Sequence, residues 1–145
     1  MEIVDRRSAL SLGMIASFAA PLIALSGPAR AEMPKYGPTD GMDIGRDRRV
    51  IEVGMQESQI SAYKAIKIID IAYQPGASDS PDDPPMDMDM VCFILAGAFT
   101  IQKTGIEPYT VKEGDFYTCG IGKKDLATNI GDGVGIHRIA LLLPA

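Results

Sequence analysis

From Val50 onward the chain is a succession of short apolar runs, at 50–55, 65–73, 88–96, 98–103, 109–111, 116–119 and 136–143, with glycine or proline between most of them. None sustains a helical period long enough to build a bundle, so the spacing predicts an all-β sandwich or barrel. The one stretch of helical character, 57–64, is too short to found a helical domain. Runs 68–72 and 139–143 are apolar at successive positions, the pattern of strands covered on both faces, by a second sheet or a second subunit. No internal repeat is present.

The chain of 145 residues is long enough for one domain with a real core, but its start does not belong to that domain. A short basic segment, 1–7, precedes an apolar stretch, 9–25, interrupted by Ser11, Gly13, Ser17 and Pro21, and then the small-residue site Ala29-Arg30-Ala31. This is the layout of a signal peptide over 1–31, cut before Glu32. The apolar part is too short and too broken for a spanning helix, so the mature form is expected to carry no membrane anchor. The line Asp5-Arg6-Arg7-Ser8-Ala9-Leu10-Ser11 resembles a twin-arginine (Tat) export signal, with an ordinary secretory leader as the alternative. Either route delivers the protein to the periplasm or the extracellular space. The segment 32–64 reads as an N-terminal arm and a first strand. Its Gly-, Pro- and Asp-rich part up to Arg49 reads as an extended arm, able to wrap a neighbour, or as a loosely packed start to the domain.

Composition excludes one class of partner. The whole chain has a net charge of −5, and removing 1–31 leaves 11 basic and 17 acidic residues, a balance of −6. With no basic patch interleaved with aromatics, nucleic-acid binding is not expected. The densest acidic segment, 79–89, reads as a solvated loop rim or, less economically, as part of a cation site.

Over 76–129 the glycines and turns fall into a two-part pattern. Gly114, Gly120, Gly122, Asp125 and Asn129 follow the spacing G-x5-P-x-G-x2-H-x3-N, with Gly120 in the proline slot and Asp125 in the histidine slot. Upstream, Val91-Cys92-Phe93-Ile94-Leu95-Ala96-Gly97 anchors the other half, G-x5-H-x-H-x3,4-E-x6-G. This puts Met90 in the glutamate slot and Pro84 and Met86 in the two histidine slots; a one-residue shift puts Asp83 and Pro85 in the latter. The region 65–143 resembles the cupin superfamily, with 65–145 as its barrel core. The resemblance implies a double-stranded β-helix, or jelly-roll barrel, and the homodimers common among such proteins. The ligands with which that family holds its metal are replaced, so the resemblance is to a degenerate metal site and implies no resident metal cofactor.

Strand alternation puts Met86, Met88, Met90 and Cys92 on one face and Asp87 and Asp89 on the other. In the family register the first face points into the barrel, giving a thioether and thiol lining that either fills an apolar cavity or suits Cu(I), the one metal such soft donors favour. A register slip would instead bring Asp87 and Asp89 toward Asp125 around a hard cation. Asp125 should lie near the barrel mouth. His137, the only histidine, either points into the same cavity or faces solvent. Cys92 and Cys119 are the only cysteines and are able to form a disulfide in an oxidising compartment.

Three functional expectations follow. The first is a non-catalytic module binding a small molecule, with Met86, Met88, Met90, Cys92, Asp125 and His137 as cavity candidates. The second is a Cu(I)-handling protein using Met86, Met88, Met90 and Cys92. The third is an enzyme with a non-standard site, which the absent metal ligands weaken.

Overall fold

The computed structural model describes residues 33–145. The expected leader over 1–31 and its cleavage site lie outside the described residues. Those described form nine strands: β1 (Met42–Gly45), β2 (Arg48–Glu57), β3 (Tyr63–Tyr73), β4 (Asp89–Ala96), β5 (Ala98–Lys103), β6 (Ile106–Lys112), β7 (Phe116–Cys119), β8 (Asp125–Asn129) and β9 (Gly135–Pro144). No helix occurs among them. The stretch at 57–64 holds the end of β2, a turn over 58–62 and the start of β3, closed by Ser58 N–H donating to Lys64 O and Tyr63 N–H to Ile60 O. Its helical composition yields to the pairing of the two long strands it connects.

All pairings are antiparallel, in a six-stranded sheet of order β1-β2-β3-β9-β4-β7 and a three-stranded sheet of order β6-β5-β8. The two sheets share one core. Tyr73, Cys92, Ile94, Tyr117 and Ile139 from the larger sheet pack with Phe99, Ile101, Val111 and Ala127 from the smaller. The loop after β3 runs along β8, with Gly76 N–H donating to Asn129 O and Asp79 N–H to Ala127 O.

The supposed arm is largely ordered against its own sheet. β1 and β2 make a tight hairpin in which Arg46 and Asp47 both adopt the left-handed conformation, at φ 56° and 58°, as a two-residue type I′ turn demands. Ahead of it, Tyr36 donates its hydroxyl to Asp70 on β3. The segment therefore contacts this chain's own sheet rather than reaching out freely.

The motif positions do structural work. Gly114 and Gly122 both sit at positive φ, 92° and 75°, in the turns flanking β7, where a side chain would be strained. Asn129, fully buried, directs its amide nitrogen at the carbonyls of Tyr73, Gln74 and Gly133 and accepts from Gly131 N–H. It ties the end of β8 to the end of β3 and to the turn before β9.

Candidate functional site

The inner face of the large sheet is set by alternation and register. Ile71 on β3, His137 on β9 and Ile94 on β4 form one cross-strand row, while Ile69, Ile139, Cys92 and Tyr117 form the next. All of these but Ile94, together with Met86, Met90 and Asp125, line a cavity of about 220 Å³ inside the barrel. Most of its exposed surface is apolar, but Arg48, Asp79, Asp83, Lys124, Asp125 and His137 also line it.

His137 is one of them. It is 2% exposed, flanked by Ile71 and Ile94, and ringed by Tyr73, Phe99 and Tyr117 at centroid distances of 6.2, 5.7 and 5.4 Å. Neither ring nitrogen has a hydrogen-bond partner among the protein's own groups. Burial pushes its pKa down to about 4, against the weaker pull of the Asp79 carboxylate, so the ring is neutral near pH 7.

Asp125, on β8, has the same character. Its Oδ2 is buried without a protein partner, while the Cys119 thiol bonds its carboxylate. Burial raises its pKa, and the Lys103 ammonium partly opposes that. The thiol of Cys92 and the phenol of Tyr117 are also pushed up, in each case chiefly by burial. Neither is poised to ionise near neutral pH.

Asp79 organises one side of the cavity. It accepts from Arg48 Nη1 at 2.5 Å and Tyr73 Oη at 2.8 Å through one oxygen, and from Ala127 N–H at 2.9 Å through the other. Arg48 is itself buried and also donates to Gly45 O. This buried ion pair links β2, β3, β8 and the loop after β3. Neither Arg48, Asp79 nor Tyr73 stood out in the sequence. Tyr73 alone had a signal there, as the last inward position of the 65–73 run.

Of the residues anticipated at the site, Met86, Met90, Cys92, Asp125 and His137 share the cavity wall. Met88 does not. The chain bends at Asp87 and Met88 and becomes a strand only at Asp89, so the alternation that would carry Met88 inward has not begun. Met86 is held instead by backbone bonds to the turn before β8, its N–H donating to Lys123 O and its carbonyl accepting from Gly122 N–H.

The four slots of the metal motif are filled by Pro84, Met86, Met90 and Asp125, and all four line the cavity. One carboxylate, two thioethers and a proline ring do not make a site for iron, manganese or zinc. No cluster of three or more His, Cys, Asp or Glu side chains able to hold a metal occurs among the described residues. The acidic alternative is also not assembled. Asp87 is exposed, and Asp89 accepts from Tyr63 Oη and Ile121 N–H.

Cys92 and Cys119 are both buried free thiols. Cys119 pairs with Met90, and Cys92 with Tyr117, so the cysteines are diagonal neighbours. Diagonal Cα atoms lie about 7–8 Å apart, beyond the span a disulfide bridges without backbone movement.

No family model matches the sequence, and no curated protein is similar to it in sequence. Solved structures are similar in fold. An RmlC-like cupin from Shewanella frigidimarina superposes with a TM-score of 0.57 at 17% identity, over 79% of this chain and 93% of that one. A cupin 2 conserved barrel domain protein from Salinispora arenicola gives 0.54 at 12%, over 77% and 90%. An RmlC-like cupin family protein from Methanocaldococcus jannaschii gives 0.53 at 17%, over 71% and 86%. At these identities the likeness is one of fold: the chain has the double-stranded β-helix of the cupins.

Proposed function

We propose that this is an exported, non-catalytic binding protein of cupin fold that holds a small molecule in its barrel cavity. The observation that carries the reading is that two residues lining the cavity, His137 and Asp125, have buried polar atoms, both ring nitrogens and Oδ2, with no partner in the protein. Buried polar groups are ordinarily satisfied, so a cavity that leaves these open is suited to a molecule that satisfies them. A non-catalytic role is favoured because the His137 pKa is pushed well below neutral pH and the Cys92 thiol is held protonated. The leader sequence supports export to the periplasm or beyond, and the net charge of −5 speaks against nucleic acid.

A fragment library screened by thermal shift tests the binding. Fragments should stabilise the parent protein and lose their effect in Ile71→Phe, whose added ring occupies the cavity. Shifts that persist in that variant, or their complete absence, would remove the proposal.

A second reading, Cu(I) binding, is favoured by one observation: Met86, Met90 and Cys92 share the wall with the His137 imidazole. Cu(I) should then compete with a chelator for the protein, and Met86→Leu with Met90→Leu should abolish binding. Unchanged uptake in that double variant would place the copper elsewhere.

A homodimer is the partner this reading calls for. Phe93 and Phe116 stand side by side on the outer face of the large sheet, 6.1 Å between centroids and 39% and 66% exposed. Sedimentation should give a dimer for the parent and a monomer for Phe116→Glu.

A further inference from the structure

We propose that the cavity ligand is a neutral molecule with a single ring, bearing hydroxyl groups that bond His137 and Asp125. The inference deepens the binding reading above and rests on it. Size comes first. A cavity of roughly 150 Å³ lined by aliphatic and aromatic side chains takes up benzene. About 220 Å³ therefore admits one ring with a few substituent atoms.

The wall then selects the body of the ligand. Ile69, Ile71, Ile139, Leu141, Met86 and Met90 offer apolar surface that rewards a ring and not an open polar chain.

The polar groups select its substituents. A neutral imidazole has one N–H to donate and one lone pair to receive, and here the protein uses neither. A hydroxyl group can meet either need, since it both donates and accepts. The free oxygen of Asp125 asks for a donor in its ionised form and an acceptor in its protonated form, and a hydroxyl group serves there too.

Charge on the ligand is disfavoured from both sides. An anion would meet the Asp125 and Asp79 carboxyl groups, while the cations of the wall are engaged: Arg48 pairs with Asp79, and Lys124 Nζ bonds Pro81 O. A cation would have to be stripped of water beside Arg48 and Lys124, and the three carboxyl groups of the wall are already engaged: Asp79 by Arg48, Asp83 by Ser80 N–H with Arg48 3.9 Å away, and Asp125 under the Lys103 ammonium. A neutral ligand meets neither obstacle.

The test is a calorimetric titration of the protein with phenol, toluene, benzoate and benzylammonium. Phenol should bind at least about tenfold more tightly than toluene, the gain of one buried hydrogen bond, and more tightly than either ion. In His137→Phe, which keeps an aromatic ring in the cluster, the phenol advantage should fall to within about threefold while toluene binding survives. Asp125→Asn, nearly unchanged in shape, provides the same comparison should the first variant not fold. Equal affinity for phenol and toluene, or preference for an ion, would overturn the assignment and leave the binding reading intact. So would silence of all four rings when other fragments bind in the cavity. If the fragment screen is silent as well, the binding reading fails and takes this one with it.

Discussion

Asp70 and Arg138 face each other across β3 and β9, and their side chains close a two-bond ion pair of 2.7 and 2.8 Å. Asp70 is wholly buried although it lies on the face of the sheet turned away from the cavity. The segment before β1 accounts for this, since Tyr36 donates its hydroxyl to the same carboxylate at 2.5 Å. Burial and the neighbouring carboxylate push the Tyr36 pKa up to about 12, which keeps the phenol protonated and donating.

Replacing Arg138 by Met should therefore cost about 3 kcal/mol in urea unfolding, because it leaves a buried carboxylate with a single hydroxyl partner. Tyr36→Phe should cost about 1 kcal/mol and expose the segment around 33–40 to proteolysis. A loss below about 0.5 kcal/mol for Arg138→Met would show the pair to be dispensable.

His137 should give the fold an acid sensitivity. Its folded pKa of about 4 lies below the unfolded value of about 6.5, so the unfolded chain takes up the proton first as pH falls. The contribution is fully present above about pH 6.5 and is lost between there and about pH 4, up to about 3 kcal/mol. Asp125 acts in the opposite sense, because its raised pKa makes the folded form bind its proton first as the medium acidifies. Denaturation curves at several pH values should show the parent losing stability relative to His137→Phe over this window. A constant difference between the two would contradict it.

Asn129→Asp is nearly isosteric and should be severely destabilising. The amide nitrogen at this site faces three carbonyl oxygens, and a carboxylate oxygen in its place donates to none of them. A loss above about 3 kcal/mol is expected from stranded, buried acceptors beside a buried charge. Asn129→Ser, smaller but still a donor, should cost less, and the reverse order would point to shape alone.

The diagonal placement of Cys92 and Cys119 predicts two free thiols after purification without reductant. Alkylation in denaturant followed by mass measurement should add two labels. Burial holds the Cys119 pKa up to about 11, so labelling of the folded protein should be slow.

The legible part of the fold was the part built of short apolar runs bounded by turn residues. β4, β5, β7 and β9 lie almost where their runs predict, and β2 and β3 extend the expected runs. β8 escaped because its buried positions are Asp125, Ala127 and Asn129, two of them polar and satisfied or left open by contacts no pattern reveals. β1, four residues and mostly exposed, carries no hydrophobic signal. At the site, strand parity reads on Met90 and Cys92 and the motif spacing on Asp125, whereas Met86 is brought to the cavity by its backbone bonds to Gly122 and Lys123, and the sequence left His137 open between cavity and solvent. Met88 misses because parity counts only inside a strand. The Asp79 hub was hidden for a different reason: its partners Arg48, Tyr73 and Ala127 come from three separate strands.

Of the described strands, the last in chain order is an inner one. β9 lies between β3 and β4, and without it the large sheet falls into β1-β2-β3 and β4-β7, two fragments with bare edges. The ribosome must release 135–144 before either fragment finds its neighbour, so a nascent chain has no partly finished barrel to rest in. A chain cut short before Gly135 lacks the seam strand and with it His137. It would present open strand edges to chaperones and proteases, so quality control would need to recognise only exposed backbone to ensure that every surviving copy has its cavity complete.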